Sequence, residues 1–219
     1  MSAHLVGALG RAPRAARSAR GPATTFPCAR CGRAVRRVAA TKTLPERIGC
    51  PRCGYLIYDY PRPCAGILLV KGDAVLVLRR ATSPRKGRLD IPGGFMEANE
   101  SIEAAARREL REETGLTLGA VEPLGFYWDQ YPLKGFGAFP TMNFYFVGQW
   151  RRGTPVAADD AASAEWLPIA SLPRRRADMA WAHMPQLVRD LARWRTGAAA
   201  PVDARAWAQQ APATRWPRS

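Results

Sequence analysis

The chain has no apolar run approaching the roughly 20 residues that a membrane-spanning helix needs, so no helical span is expected. Its N-terminal stretch lacks the long apolar core of a secretory signal, and its first 25 residues hold no acidic side chain. No segment repeats. Acids are scarce overall, with 18 Asp and Glu against 33 Lys and Arg, a net charge of +15. The imbalance is uneven: residues 1–62 carry twelve Lys and Arg against Glu46 and Asp59, whereas residues 63–219 carry 21 against 16. Arg11, Arg14, Arg17 and Arg20 give residues 1–25 a basic tail. A mitochondrial transit segment, a nucleic-acid-binding arm and a disordered tail all fit it, and we favour the last. What remains is a cytoplasmic chain of 219 residues whose 47% hydrophobic content suffices for one ordinary domain and a small module.

The five cysteines are not scattered. Cys28-Ala-Arg-Cys31 and Cys50-Pro-Arg-Cys53 are two C-x-x-C pairs, each followed by glycine, with 18 residues between them. That spacing fits a zinc ribbon, in which four thiolates hold a tetrahedral structural zinc on two short knuckles. Two disulfides would leave Cys64 over and would need an oxidising compartment. The expected ribbon spans residues 26–60. Cys64 is expected to pack as a small hydrophobe at the start of the first core strand.

Residues Ile102 to Thr114 contain no proline or glycine and are rich in Ala, Arg, Glu and Leu, which predicts a helix. Ser101 stands at its N-cap, and Gly115 stands where a left-handed residue would end it. On such a helix Glu109, Glu112 and Glu113 crowd one face. A hard divalent cation with oxygen ligands, Mg²⁺ or Mn²⁺, removes their mutual repulsion. A solvated acidic face partnered by Arg107, Arg108 and Arg111 is the alternative. The set distances to Pro92-Gly93-Gly94 and to Glu100 favour the metal.

From Gly94 the chain reads G, five residues, Glu100, seven residues, then Arg108-Glu109-Leu110-Arg111-Glu112-Glu113-Thr114-Gly115-Leu116. Every constrained position matches the Nudix signature, so the chain resembles the Nudix hydrolase family, and in particular its zinc-ribbon subset of NADH, FAD and ADP-ribose pyrophosphatases. The resemblance implies an α/β fold, an α/β/α sandwich with a mixed sheet, over residues 61–196. It implies hydrolysis of a pyrophosphate bond in a nucleoside diphosphate linked to another moiety, with ADP-ribose, FAD or a similar dinucleotide as substrate. It also implies that the Gly93 carbonyl joins the metal shell and that Arg108 orients the glutamates, partly by pairing with Glu100. The general base is one of these glutamates or comes from a downstream loop, where Asp159, Asp160 and Glu165 are candidates. The segment Gly125–Pro132 departs from the Ser-Gln-Pro-Trp-type motif of the NADH enzymes. Nucleoside triphosphate or RNA-end hydrolysis is the enzymatic alternative. A non-catalytic nucleotide sensor that binds nucleic acid is the other. Family members are often homodimers.

Beyond the signature, Ala65–Val70 and Ala74–Arg79 predict a hairpin, and Val121–Trp128, Met142–Trp150 and Glu165–Leu167 predict strands. Pro185–Arg195 predicts an amphipathic helix, and residues 197–219 a disordered tail. Tyr131–Pro140 reads as a Gly/Pro/aromatic loop whose Tyr131, Phe136 and Phe139 are candidates for stacking on a substrate ring. Arg80, in a basic stretch before the glycine pair, is a candidate for its phosphates. Asp129 either contacts a ribose hydroxyl or caps a turn, and His183 receives no role.

Overall fold

A computed structural model describes residues 26–43, 47–57, 60–134 and 137–198. The predicted tail at 1–25, the residues from 199 onward and Phe136 lie outside them. The described residues divide into two compact units between Asp59 and Tyr60.

The first unit is a three-stranded antiparallel sheet of β1 (Arg36–Val38), β2 (Arg47–Gly49) and β3 (Leu56–Ile57), in that order. Its buried core is only Cys28, Val35 and Cys50, with Cys31, Ile48 and Cys53 packed against it. So few apolar side chains cannot offset the entropy of ordering the segment.

In the second unit β4 (Arg62–Lys71) and β5 (Ala74–Arg80) form the expected hairpin. Short β6 (Leu89–Asp90) pairs with β5, and β7 (Gly93–Phe95) pairs with β4. Helix α1 (Ile102–Thr114) follows, then β8 (Val121–Leu133), β9 (Gly137–Gln149) and β10 (Ala161–Pro168). Ten residues of mostly 3₁₀ turns (Ile169–Asp178) lead to α2 (Met184–Arg195). The sheet order is β10-β5-β4-β9-β8. The β4–β9 pair is parallel and the rest are antiparallel, so the sheet is mixed.

Side chains on β4 alternate between two cores, as a strand buried on both faces must. Ala65, Ile67 and Leu69 pack with Ala105, Ala106 and Leu110 of α1. Leu68 and Val70 pack with Leu187, Val188 and Leu191 of α2. Two helical layers therefore sandwich the sheet.

One expectation fails. Tyr131–Pro140 is not an open loop; the segment belongs largely to β8 and β9, which run on to Leu133 and from Gly137. Pro123 and Pro132 are tolerated because β8 is the sheet's edge. Pro140 lies one residue beyond the β4 pairing, which begins at Thr141. The cross-strand pair Tyr131↔Phe139, with rings stacked at 5.3 Å, favours the extended form. Gly197 is likewise ordered, in the left-handed conformation with its N–H on Trp194 O, closing α2.

Candidate active site

Helix α1 begins and ends as its sequence demands. Ser101 Oγ accepts from the Ala104 amide at 3.1 Å, and Gly115 takes φ 69° with its N–H on Arg111 O. Ala105, Ala106 and Leu110 press on the sheet, which turns Glu109 and Glu113 toward β7. There the paired glycines explain themselves. Glu113 Oε2 accepts from the Gly93 amide at 2.8 Å. A Cβ on Gly94 would lie 2.5 Å from Glu109 Oε1, so only glycine leaves room for that carboxylate. A Cβ on Gly93 would meet the Ala65 carbonyl at 2.5 Å.

Arg108 organises the acids. Its Nε and Nη2 form a fork on both oxygens of Glu100, at 3.1 and 2.8 Å. Nη1 donates to Glu109 at 2.8 Å and to Glu112 at 2.9 Å. Nη2 also reaches the Phe95 carbonyl at 3.0 Å. Helical spacing alone puts Arg108 and Glu109 on different faces; the length of the arginine side chain overrides that. Burial opposes ionisation of Glu109 and Glu113. In Glu113, burial and neighbouring Asp160 push the carboxyl up to about 10. Glu109 is raised by burial, and the Glu112 and Asp160 charges add to it against the pull of Arg108. Glu100 is lowered by its bonds to Arg108.

This oxygen donor set, carboxylates crowded beyond what Arg108 neutralises and a glycine cradle that a Cβ would fill, fits a hard divalent cation. The three glutamates do not converge as tightly as a thiolate cage. Among the described residues, the sulfurs of Cys28, Cys31, Cys50 and Cys53 are gathered within 4.8 Å of one another. Cys28 and Cys53 Sγ are 3.7 Å apart, and Cys31 and Cys50 Sγ 3.5 Å apart. Donation from the Cys53 amide pulls the Cys50 thiol down to about 6, whereas at Cys53 the Tyr55 amide is outweighed by burial and the neighbouring sulfurs, which push that thiol up to about 11. Four sulfurs at that spacing fit zinc.

Glu109 and Glu113, but not Glu100 or Glu112, line a cleft of ≈ 410 Å³ walled by β4, β7, α1, β8, β9 and the segments holding Asp159, Asp160, Trp181 and His183. Of the three downstream carboxylates, Asp159 and Asp160 line it. Glu165 lies away from it, paired with Arg79 at 3.5 Å. Arg80 lines the cleft, but all three guanidinium nitrogens are committed: to the Pro84 carbonyl, to Asp90 at 3.0 Å and to Asp160 at 3.1 Å. Tyr131 lines the cleft too. Phe139 packs beside it against Phe95 and under the Arg62 guanidinium. Cys64 is in the cleft wall and not in an apolar layer; burial pushes its thiol up to about 12.

Sequence reasoning missed the opposite wall. Asp129 Oδ2 accepts from His183 Nδ1 at 2.6 Å and from the His183 amide at 3.0 Å, while His183 Nε2 faces Tyr145 Oη at 3.0 Å. Asn143 donates to Tyr127 O and Thr141 Oγ1. Trp181 stacks on Tyr131 at 5.4 Å and donates Nε1–H to buried Asp90 at 2.8 Å. Alternation could have placed Asp129, Tyr131, Asn143 and Tyr145 on one sheet face. Nothing local ties His183 or Trp181 to them.

Known proteins match this arrangement. A family model described as NUDIX domain matches residues 60–191. An ADP-ribose pyrophosphatase of Methanocaldococcus jannaschii is 32% identical over 145 residues, covering 65% of this chain and 80% of that protein. An NAD-capped RNA hydrolase NudC of Pseudomonas aeruginosa is 36% identical over 160 residues, 70% of this chain. The match spans 52% of that relative's length. A crystal structure of a NUDIX hydrolase from Nitrosomonas europaea superposes with a TM-score of 0.61 at 25% identity, covering 80% of this chain and 95% of that one. Among the described residues no helix is long and apolar enough to cross a membrane. With the signature helix, its glycine cradle and the mixed-sheet sandwich all in place, the chain belongs to the Nudix hydrolase family.

Proposed function

We propose that the chain is a divalent-cation-dependent hydrolase of the pyrophosphate bond in a nucleoside diphosphate joined to a second moiety, such as ADP-ribose or a dinucleotide. One observation carries this reading: Arg108 ties Glu100, Glu109 and Glu112 together, and Glu109 and Glu113 stand against the Gly93–Gly94 cradle in the cleft. Glu109, Glu112, Glu113 and the Gly93 carbonyl would hold Mg²⁺ or Mn²⁺, which supplies charge neutralisation for the anhydride. The cleft would hold the phosphorus beside these groups. Asp160, bonded to Arg80 and beside Glu113, is better placed than Glu165 to take a proton from the attacking water. The similarity to an ADP-ribose pyrophosphatase over four-fifths of that protein's length supports the substrate class.

Cys28, Cys31, Cys50 and Cys53 would hold a structural zinc, which would place the chain in the zinc-ribbon subset of the family. The enzyme would act in the cytoplasm, as a monomer or homodimer. A second reading, hydrolysis at a capped RNA 5′ end, is favoured by the ribbon's charge. Its described residues include Arg30, Arg33, Arg36, Arg37, Arg47, Arg52 and Lys42 and no acid, and the NudC relatives act on NAD-capped RNA by name. Purified protein with Mg²⁺ against ADP-ribose, FAD, NADH, nucleoside triphosphates and capped RNA tests both. Release of nucleoside monophosphate from the first three supports the primary reading, and no turnover on any substrate defeats it.

A further inference from the structure

The wall of the cleft opposite the glutamates is polar where the fold needs no polarity. On that sheet face Tyr127, Asp129 and Tyr131 of β8 stand across from Asn143, Thr141 and Phe139 of β9. Further along the same face, around Leu68 and Val70, the layer is apolar. Burying Asp129, Thr141, Asn143, Tyr145 and His183 together costs desolvation that apolar residues would avoid.

The bonds fix what each group can still do. The Asp129 carboxylate takes three N–H donors: the Gln130 amide on Oδ1, and the His183 amide and Nδ1 on Oδ2. In the tautomer that places the ring proton on Nδ1 alone, toward Asp129, His183 Nε2 accepts from Tyr145 O–H at 3.0 Å. In that tautomer the Tyr145 hydroxyl keeps only lone pairs for a ligand. Asn143 is oriented by a backbone carbonyl, Tyr127 O, which only its amide nitrogen can serve, and that nitrogen also serves Thr141. Asn143 Oδ1 is the unused end and, like Tyr145, belongs to a cleft-lining residue. Beside these acceptors Tyr131, stacked on both Phe139 and Trp181, lines the cleft. Trp181 is held by its bond to Asp90 and lies over the Arg80 guanidinium at 5.3 Å.

We propose that Asn143 and Tyr145, the latter set by the Asp129–His183 pair, form an acceptor wall that selects a ring substituent donating N–H, an exocyclic amine or a carboxamide, on the moiety bound in this cleft. The proposal rests on the pyrophosphohydrolase reading and names the chemistry of the group that reading leaves open. Asn143 and Tyr145 are specificity-determining residues; Asp129 and His183 are positioning residues that act through Tyr145. A ring that presents a carbonyl or carboxylate at the same place would leave acceptors facing acceptors.

Matched substrates test it: ADP-ribose against its hypoxanthine counterpart, and NADH against its nicotinic-acid counterpart, each with Mg²⁺. The expected result is about a tenfold or larger preference in kcat/KM for the amino or carboxamide member of one pair. Which pair discriminates tells whether the wall reads the adenine or the nicotinamide end. Tyr145→Phe and Asn143→Leu should erase that preference through KM with kcat little changed. Equal kcat/KM within both pairs overturns the acceptor wall while the hydrolase reading stands. A preference that survives both Tyr145→Phe and Asn143→Leu overturns it too. Calorimetric titration of the same pairs in EDTA covers a protein with no turnover, which would sink the hydrolase reading: equal Kd within both pairs overturns the wall, and unequal Kd supports it.

Discussion

The ribbon and the sandwich solve the same problem with opposite means. The ribbon buries Cys28, Val35 and Cys50 and little else. The sandwich buries two apolar layers, one on each face of a mixed sheet. Both hold a donor cluster suited to a cation, but the duties differ. In the ribbon the cysteines make up most of the small core, so a cation held by them would contribute to folding itself. In the sandwich Glu109 and Glu113 line a cleft beside a core that is complete without them, and a cation there would serve chemistry. A metal site therefore cannot be assigned a role from its ligands alone; what surrounds it decides.

The most severe way to break this contrast is in the ribbon. Cys50→Ser should lose stoichiometric zinc and unfold the ribbon, because structural zinc contributes about 10 kcal/mol or more to such modules. Metal analysis and amide exchange of residues 28–57 check it. Equal zinc content in variant and parent would show that the sulfurs are not a cage.

In the sandwich the matching change should spare stability and remove activity. Glu113→Gln should lower kcat by about 10³-fold, on the order of 4 kcal/mol of transition-state stabilisation. Its melting temperature should hold, since burial already keeps that carboxyl protonated and a neutral amide of the same shape replaces a neutral acid. A variant that keeps the parental rate would remove Glu113 from the site. A cation must also displace the proton that burial keeps on Glu113, so binding releases it. The Mn²⁺ concentration for half-maximal activity should fall as pH rises toward the value of about 10 held by that carboxyl. A requirement flat in pH would contradict a cation contact there.

How much of this was legible depends on how far apart in sequence the interacting residues lie. Helix α1, both its caps and the glutamate face could be read because every interaction spans a few residues, and i, i+3 and i, i+4 rules apply. The thiolate pairs could be read because C-x-x-C spacing is local to each knuckle. The Arg80–Asp160 bond spans 80 residues and Asp129–His183 spans 54, and neither leaves a pattern in the chain. Tyr131–Pro140 misled because glycine and proline signal a loop, whereas an edge strand accepts proline at no cost to the ladder. Glu165 looked equal to Asp160 in sequence; β10 pairs its backbone with Val77 and leaves its carboxylate to Arg79.

Smaller changes sharpen the contrast from the other direction, by touching the sandwich where no cation is concerned. Leu110 is fully buried against β4, and Leu110→Ala should cost about 2–5 kcal/mol in chemical denaturation, more than any loss from Glu113→Gln. Ser101→Ala should cost only about 1 kcal/mol, the usual value of one helix N-cap. The second case is informative because α1 carries both a packing face and the acidic face. If the helix were held in place by the cation, loss of the cap would be masked in Mn²⁺ and exposed in EDTA. If the apolar layer holds it, as Ala105, Ala106 and Leu110 at 0% exposure indicate, the two denaturation curves should shift by the same amount.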